Sequence, residues 1–104
     1  MVGPKTLVPH VESMTNSHYT IALTSRFEKK LSGLDRQAAK RILVRLYGLS
    51  ALEAPQARCK PLTGPLAGLW RLRVGDYRVI VDIQENNLVI VALDTDHRSQ
   101  IYER

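Results

Sequence analysis

The chain has 104 residues, which is enough for one domain with a modest core and too few for two. Its 15 basic and 10 acidic residues give a net charge of +5, which suits contact with nucleic acid, an anionic membrane surface or an acidic protein. The single cysteine, Cys59, excludes an intrachain disulfide and fits a reducing cytoplasm. No apolar run approaches the roughly 18 residues of a membrane span, so we predict a cytoplasmic protein without a membrane partner.

Residues 1–17 are expected to form a flexible leader ahead of a single domain over residues 18–104. Two prolines and a Ser/Thr/Asn cluster around Met14 give this stretch no sustained period, and Met14 offers an alternative start. Apolar and smaller polar residues then alternate over residues 19–24, which predicts a first strand.

Two helices are predicted next, each from a capping residue. Ser25 followed by Glu28 is a capping-box pattern, which predicts a short helix through Leu31 that ends near Gly33. Asp35 is the next N-cap candidate and opens an amphipathic helix of about 17 residues. The apolar side of this helix holds Ala39, Ile42, Leu43, Leu46, Leu49 and Leu52. Its other side shows Arg36, Gln37, Lys40, Arg41 and Arg45.

The segment from Trp70 to Val81 predicts a β-hairpin with two chemically different faces. Apolar and basic residues alternate before Gly75-Asp76, which is a two-residue turn signal, and alternation resumes after it. Such a turn sets three cross-strand pairs: Val74 with Tyr77, Arg73 with Arg78, and Leu72 with Val79. The buried face then holds Trp70, Leu72, Val74, Tyr77, Val79 and Val81, and the opposite face holds Arg71, Arg73 and Arg78.

These three arginines on one face favour an anionic ligand. Like charges directly opposite each other destabilise a sheet by about 0.2–1 kcal/mol per pair. A bound polyphosphate chain would neutralise them, so nucleic acid is the leading candidate. Two alternatives stay open, an ordinary solvated sheet face and a docking surface for an acidic protein segment.

The remaining elements complete an α+β fold. Residues 54–68 are predicted to be a loop, because prolines and glycines disfavour regular structure there. Asn86-Asn87 predicts a second tight turn, residues 88–93 are apolar on both faces and predict a central strand, and residues 94–104 form a polar tail. We therefore predict an N-terminal strand, a two-helix hairpin and a three-stranded antiparallel meander, forming one antiparallel sheet with the helices on one face.

The chain resembles the RelE/ParE toxin superfamily, and specifically the RelE-like toxins that cleave messenger RNA, over about residues 18–104. The resemblance lies in three segments taken in order after a strand and a helical hairpin. They are Lys60-Pro61-Leu62 with Gly64 and Leu69, then Arg71-Leu72-Arg73-Val74-Gly75-Asp76-Tyr77-Arg78, and last Asp96-His97-Arg98-Ser99-Gln100-Ile101-Tyr102. It implies the toxin of a type II toxin–antitoxin system, inhibited by a co-encoded acidic antitoxin that wraps around it.

RelE-like members act at the ribosomal A site, so the implied partners also include mRNA and the ribosome, with operator DNA bound only through the antitoxin. The resemblance further implies an endoribonuclease that needs no metal or other cofactor. Two alternatives are a ParE-like toxin that inhibits DNA gyrase without nuclease activity, and an inactive toxin that serves as a DNA-binding corepressor with its antitoxin.

The resemblance also implies site residues. The family's two basic positions before the turn fall on Arg71 and Arg73, its arginine after the turn on Arg78, and its C-terminal aromatic residue on Tyr102. A C-terminal basic position of the family falls on Asp96, so that Arg98 or His97 has to substitute. The expected catalytic set is therefore Arg71, Arg73, Arg78, His97, Arg98 and Tyr102. The expected RNA contacts are Lys60, Arg71, Arg73, Arg78, Arg41 and Arg45.

In RNA cleavage without a metal, the 2′-hydroxyl attacks the adjacent phosphorus and leaves a 2′,3′-cyclic phosphate. Arginine stabilises the charge that develops, because its planar fork grips phosphate oxygens and stays protonated. It is a poor base for the same reason, and histidine is the commonest general acid or base in enzymes, so His97 is the candidate for proton transfer. Tyr102 can stack on a splayed base or orient the 2′-hydroxyl. Core packing of Tyr102, a chain-end role for His97 and a solvated helix face for Arg41 and Arg45 remain the simpler alternatives.

Overall fold

The structure, a computed structural model, describes residues 18–97 and is organised around a mixed five-stranded sheet. The strands are β1 (Thr20–Leu23), β2 (Lys60–Pro61), β3 (Trp70–Val74), β4 (Tyr77–Gln84) and β5 (Val89–His97), in the spatial order β1-β5-β4-β3-β2. Helices α1 (Ser25–Ser32) and α2 (Arg36–Gly48) follow β1. These observations confirm the α+β class, the helical hairpin and the prediction that β5 is an interior strand of the sheet, between β1 and β4. The predicted leader, residues 1–17, lies outside the described residues.

The hydrophobic core lies between the two helices and one face of the sheet, called here the inner face. The helices and the short 3-10 turn after α2 contribute the buried side chains Phe27, Ile42, Leu46 and Leu49. The sheet contributes Leu72, Val74, Val79, Val81, Ile90 and Ala92, while Trp70 and Tyr77 pack against the cluster half-buried. The predicted apolar face of the hairpin is therefore confirmed. Burial of each large aliphatic side chain contributes roughly 1.5–3 kcal/mol, so this layer is the main stabilising feature of the fold.

The helix caps differ from the sequence prediction at one of two positions. The side chain of Asp35 accepts a hydrogen bond from the Ala38 amide at 3.1 Å, which confirms it as the N-cap of α2. The N-cap of α1 is Thr24 and not Ser25, since the Thr24 hydroxyl accepts from the Phe27 amide at 3.1 Å. Thr24 is favoured as the cap because its hydroxyl also donates to the Ala92 carbonyl of β5 at 3.1 Å. This tertiary contact cannot be predicted from the local sequence.

The predicted long helix is a 13-residue α-helix followed by a 3-10 turn over Leu49–Ala51. Within it, Ala38 is buried and Ala39 only half-buried. The tighter turn brings the Ser50 carbonyl within 3.0 Å of the Tyr19 amide, which fixes the start of the first strand to the end of the helical hairpin.

The hairpin between β3 and β4 has the predicted register. Val74 pairs with Tyr77, Arg73 with Arg78 and Leu72 with Val79. Gly75 occupies the left-handed region with φ of 61°, which glycine adopts without strain. The two-residue turn and the alternation on either side of it are thus sufficient to set which side chains share a face.

The prediction of a wholly antiparallel sheet is wrong, because β1 pairs with β5 in parallel. Thr20 stands opposite Val89 and Leu23 opposite Ala92, and the Thr20 amide donates to the Leu88 carbonyl at 2.8 Å. Alternation in β1 identifies its buried residues but carries no information on the direction of a neighbour that lies about 70 residues away.

The predicted loop over residues 54–68 contains regular structure. Two 3-10 turns, Pro55–Arg58 and Gly64–Leu66, flank the short strand β2, which pairs Lys60 with Arg71. Proline is compatible with both features, because it fits the first position of a helical turn and tolerates the edge of a sheet. The prolines therefore lie in short helical turns and in an edge strand, and the prediction of a loop without regular structure is wrong here.

The second turn and the end of β5 also differ from prediction. Strand β4 ends at Gln84 and β5 begins at Val89, so the connection has four residues and is not a tight Asn86-Asn87 turn. The residue with positive φ is Leu88, at 55°. The predicted polar tail does not begin at residue 94, because β5 continues through His97.

A β-bulge at Leu93 sets the orientation of the last part of β5. Val81 stands opposite Ala92 and Ile80 opposite Asp94, so Leu93 has no partner on β4. Since side chains alternate along a strand, the extra residue places Thr95 on the inner face and Asp94 on the other side, called here the outer face. Thr95 is 1% exposed, and its hydroxyl donates to the Arg78 carbonyl at 2.9 Å.

Candidate functional site

Four basic residues of the predicted site share the outer face of the sheet. Arg73 stands directly opposite Arg78 across the hairpin, and Lys60 stands opposite Arg71 across the β2–β3 pair. Because Arg71 and Arg73 are two residues apart on one strand, their side chains point the same way. We call Lys60, Arg71, Arg73 and Arg78 the arginine face. Three neighbouring strands contribute to it.

The four side chains differ in exposure. Lys60 and Arg73 are exposed, Arg71 is half-buried and Arg78 is buried, with only 7% of its surface exposed. Arg78 therefore shares the face of Arg71 and Arg73 but is not open to solvent as they are. Arg78 lies on β4, the middle strand of the sheet, with β3 and β5 on either side.

The tip of the hairpin lies beside α2. The Arg73 Nε donates to the Gly75 carbonyl at 3.4 Å, and a Cβ placed at Gly75 would lie 3.9 Å from an Arg41 guanidinium nitrogen. A groove of about 430 Å³ runs between the hairpin tip and α2. It is lined by Lys40, Arg41, Val44, Arg45, Val74 and Gly75. Arg41 and Arg45, predicted as RNA contacts, thus lie on the helix side of the sheet. They approach the arginine face only at the hairpin turn.

His97 is not brought onto the arginine face. It stands opposite Tyr77 in the β4–β5 register, and the two rings meet edge to face with centroids 5.6 Å apart. Tyr77 belongs to the inner face, so His97 points away from the side that carries Arg78. The bulge at Leu93 produces this result, since it shifts the alternation of every later residue in β5.

Sequence reasoning missed an ion-pair cluster on the outer side of β5. The Lys30 Nζ of α1 lies 3.1 Å from an Asp94 oxygen and 3.0 Å from an Asp96 oxygen. The Arg26 Nε lies 3.3 Å from the other Asp94 oxygen. Only the spacing of the two aspartates on one strand offered a signal, and the bulge that turns them outward is not visible in the pattern.

Burial raises the pKa of the Cys59 thiol to about 11. A neutral, half-buried thiol is a poor nucleophile, which favours a packing role for this residue over a catalytic one. Among residues 18–97, no group of three or more His, Cys, Asp or Glu side chains is placed to hold a metal ion. Arg98 and Tyr102, the remaining predicted catalytic residues, lie outside the described residues.

We expect Cys59 to be alkylated slowly at pH 8, because only about one thiol in a thousand is ionised three pH units below its pKa. The rate should rise with pH up to about 11 in the folded protein and should match a free thiol after unfolding in urea. Because the pKa of Cys59 is higher in the folded state, burial of the neutral thiol contributes fully to the free energy of unfolding below pH 9. This contribution is lost between about pH 9 and 11. Iodoacetamide labelling followed by mass spectrometry measures the rate, and fast labelling at pH 8 would contradict the buried placement.

Comparison with known proteins identifies the family. A sequence model of the ParE toxin of the type II toxin–antitoxin system parDE matches residues 21–102. The chain is also 31% identical over 86 residues to toxin RelG of Mycobacterium tuberculosis, covering 83% of this chain and 98% of RelG. The chain belongs to the RelE/ParE toxin superfamily. It is accordingly a toxin of a type II toxin–antitoxin system.

Solved structures agree with this assignment to the RelE/ParE superfamily. The RelBE2 toxin–antitoxin complex of M. tuberculosis contains a chain that matches with a TM-score of 0.72 and 30% identity, covering 80% of this toxin and 94% of that chain. A chain of the archaeal RelE–RelB complex from Pyrococcus horikoshii matches with a TM-score of 0.63 and 28% identity, over 80% and 98% of the two chains. In the described part of this toxin, no helix is both long and apolar enough to cross a membrane.

Proposed function

We propose that this toxin is an endoribonuclease that cleaves mRNA at the ribosome without a metal. The observation that carries the proposal is the register of β2, β3 and β4, which collects Lys60, Arg71, Arg73 and Arg78 on one face. The similarity to RelG and to toxins solved in RelE-type complexes supports the ribonuclease reading over the gyrase-inhibitor reading.

The arginine face suits the charge that develops at phosphorus during attack by a 2′-hydroxyl. Arg78 is held almost without solvent, where a fixed positive charge acts more strongly on an anion than it does in water. Arg71, half-buried, and Arg73, exposed, lie on the neighbouring strand, and we propose that they grip phosphates next to the scissile bond. Lys60 extends the same surface and holds the RNA strand by charge.

Proton transfer has to come from groups other than these arginines, because a guanidinium group does not give up its proton in proteins. We propose that Tyr102 stacks on a base or orients the 2′-hydroxyl, and that Arg98 supplies the basic position that Asp96 does not. Arg41 and Arg45, at the far side of the hairpin tip, are proposed as contacts to ribosomal RNA.

Replacing His97 with glutamine tests whether this residue acts as the acid or base. Loss of a general acid or base typically lowers the rate by 10²–10⁴-fold. Because the ring lies on the inner face against Tyr77, we expect the substitution to lower the rate less than about tenfold and to leave the pH–rate profile unchanged near neutrality. Single-turnover cleavage on stalled ribosomes from pH 5.5 to 8.5 gives both quantities. A pH–rate profile that the substitution flattens would contradict this expectation and indicate that His97 acts as the general acid or base.

Expression of the toxin alone, followed by mapping of RNA ends, tests the proposed activity itself. Cuts that recur at one position of the codon, with 5′-hydroxyl ends on the downstream fragments, support a ribosome-dependent endoribonuclease. DNA damage without such cuts would support gyrase inhibition. Normal growth with neither effect would support an inactive corepressor.

The proposed partners follow from the same assignment. An acidic antitoxin is proposed to bind this toxin, and operator DNA is proposed to be bound only through it. The solved relatives in complex with RelB-type antitoxins support this partner. The proposed site of action is the cytoplasm, where translated mRNA and ribosomes are found.

A further inference from the structure

The outer face that carries the arginines also carries two carboxylates. Asp96 stands directly opposite Arg78, and Asp94 stands opposite Ile80, both on the outer side because of the bulge at Leu93. Side chains of directly paired residues have Cβ atoms only about 4.5–5.5 Å apart. A phosphate chain bound to Arg78 therefore passes next to these carboxylates, and their negative charge opposes its binding.

Helix α1 supplies cations to these carboxylates. Lys30 bridges both, at 3.1 Å from Asp94 and 3.0 Å from Asp96, while Arg26 contacts Asp94 alone at 3.3 Å. The Lys30, Asp94 and Asp96 side chains are 34%, 26% and 30% exposed, so solvent screens these contacts only in part. Partial burial lowers the pKa of Lys30, but its hydrogen bonds and charge contacts with Asp96 and Asp94 outweigh this and raise the pKa, so the ammonium form persists at neutral pH.

The position of α1 makes this bridge possible. Strand β1 pairs with residues Val89 to Ala92 of β5, and among residues 18–97 no strand lies on that side of the second half of β5. Helix α1 packs against β5 and places Lys30 at the boundary between the core and the outer face. Both oxygens of Asp96 are engaged there, one by Lys30 and the other by the His97 amide at 3.0 Å.

We propose that Lys30 is a positioning residue of the RNA site, which neutralises Asp94 and Asp96 and holds them toward α1 so that phosphate can bind at Arg78. With Lys30 and Arg26 present, the four-residue cluster has no net charge. Without Lys30 the cluster carries a net negative charge, and Asp96 competes with RNA phosphate for its cross-strand neighbour. This inference rests on the proposed ribonuclease function, and it adds a residue from outside the arginine face.

Binding of an uncleavable RNA tests the proposal without depending on catalysis. The probe is a fluorescein-labelled 2′-O-methyl RNA dodecamer, whose affinity for the full chain is measured by fluorescence anisotropy at several salt concentrations. We expect Lys30→Met to weaken binding by about three- to tenfold, with the larger loss at low salt. Lys29→Met is the matched control, because it removes the same charge from an exposed position on the same helix, and we expect a change below about twofold.

Two further variants separate charge neutralisation from a structural role. The double variant Lys30→Met with Asp96→Asn should restore binding to within about twofold of the parent, although it repairs no packing. Asp96→Asn alone should tighten binding, which is a gain that misfolding does not produce. The urea midpoint of each variant reports folding.

Equal binding by the Lys30→Met and Lys29→Met variants would overturn the proposal. A double variant that binds as poorly as Lys30→Met, or an Asp96→Asn variant no tighter than the parent, would do the same. Failure of the parent chain to bind the RNA at all would overturn this inference, whereas the proposed ribonuclease function is decided separately by the mapping of RNA ends after expression. Parent binding with no response to Lys30 removes the inference alone.

Discussion

Replacing Arg78 with alanine should abolish growth inhibition by the toxin expressed alone, with mRNA cleavage reduced by about 10²–10³-fold. The loss of one well-placed charge donor from a transition state typically has this magnitude. Arg78 should give the largest effect on the arginine face, because it is the least exposed of the four residues and the nearest to the middle of the sheet. Antitoxin binding should largely survive, since that interface depends on many contacts spread over a larger surface.

The control variants for this prediction separate charge from folding. Arg78→Lys keeps the charge and part of the buried stem but loses the planar fork, so we expect partial activity. Arg36→Ala removes an exposed arginine from the start of α2, on no part of the arginine face, and should leave growth inhibition unchanged. Primer extension on a stalled message measures cleavage, and thermal melting with antitoxin pull-down reports folding. Undiminished toxicity of a folded Arg78→Ala variant would contradict the assignment.

The hairpin shows how much of the site could be predicted from the sequence. Strict alternation on both sides of Gly75-Asp76 determines the register, and the register determines which arginines meet. The burial of Arg78 could not be predicted in the same way. Alternation places Arg78 on the outer face but carries no information on what covers that face. The position of β4 in the middle of the sheet also depends on β5, which follows a turn that is longer than the sequence predicts.

The features that the sequence did not predict all depend on contacts between distant parts of the chain. Thr24 displaces Ser25 as the helix cap because it also binds β5, which lies 68 residues further along. The parallel direction of β1 relative to β5 depends on how the helical hairpin connects β1 to the rest of the sheet. The position of His97 depends on Leu93, a single unpaired residue on β5. Local propensity and periodicity carry no information on such contacts. The amphipathic helix and the hairpin are local, and the sequence predicts both, although the helix is 13 residues long where about 17 are predicted.

Replacing Thr95 with aspartate should be the most damaging single substitution in the fold, because the bulge at Leu93 turns this position into the inner face. Thr95 is 1% exposed, whereas Asp94 and Asp96 on either side of it reach Lys30 on the outer side. Burial of even one unpaired carboxylate in an apolar layer costs several kcal/mol, comparable to the whole stability of a domain of this size.

We therefore expect Thr95→Asp to be largely unfolded at 25 °C, or to refold only with the end of β5 detached. Thr95→Val is the matched control, since it keeps the shape of the buried side chain and removes only the hydrogen bond from the Thr95 hydroxyl to the Arg78 carbonyl, for a loss of about 1 kcal/mol. Urea denaturation followed by tryptophan fluorescence is suitable, because Trp70 packs against the core. A Thr95→Asp variant as stable as Thr95→Val would mean that Thr95 does not face the core, and the orientation of Asp96 and His97 could then no longer be attributed to the bulge.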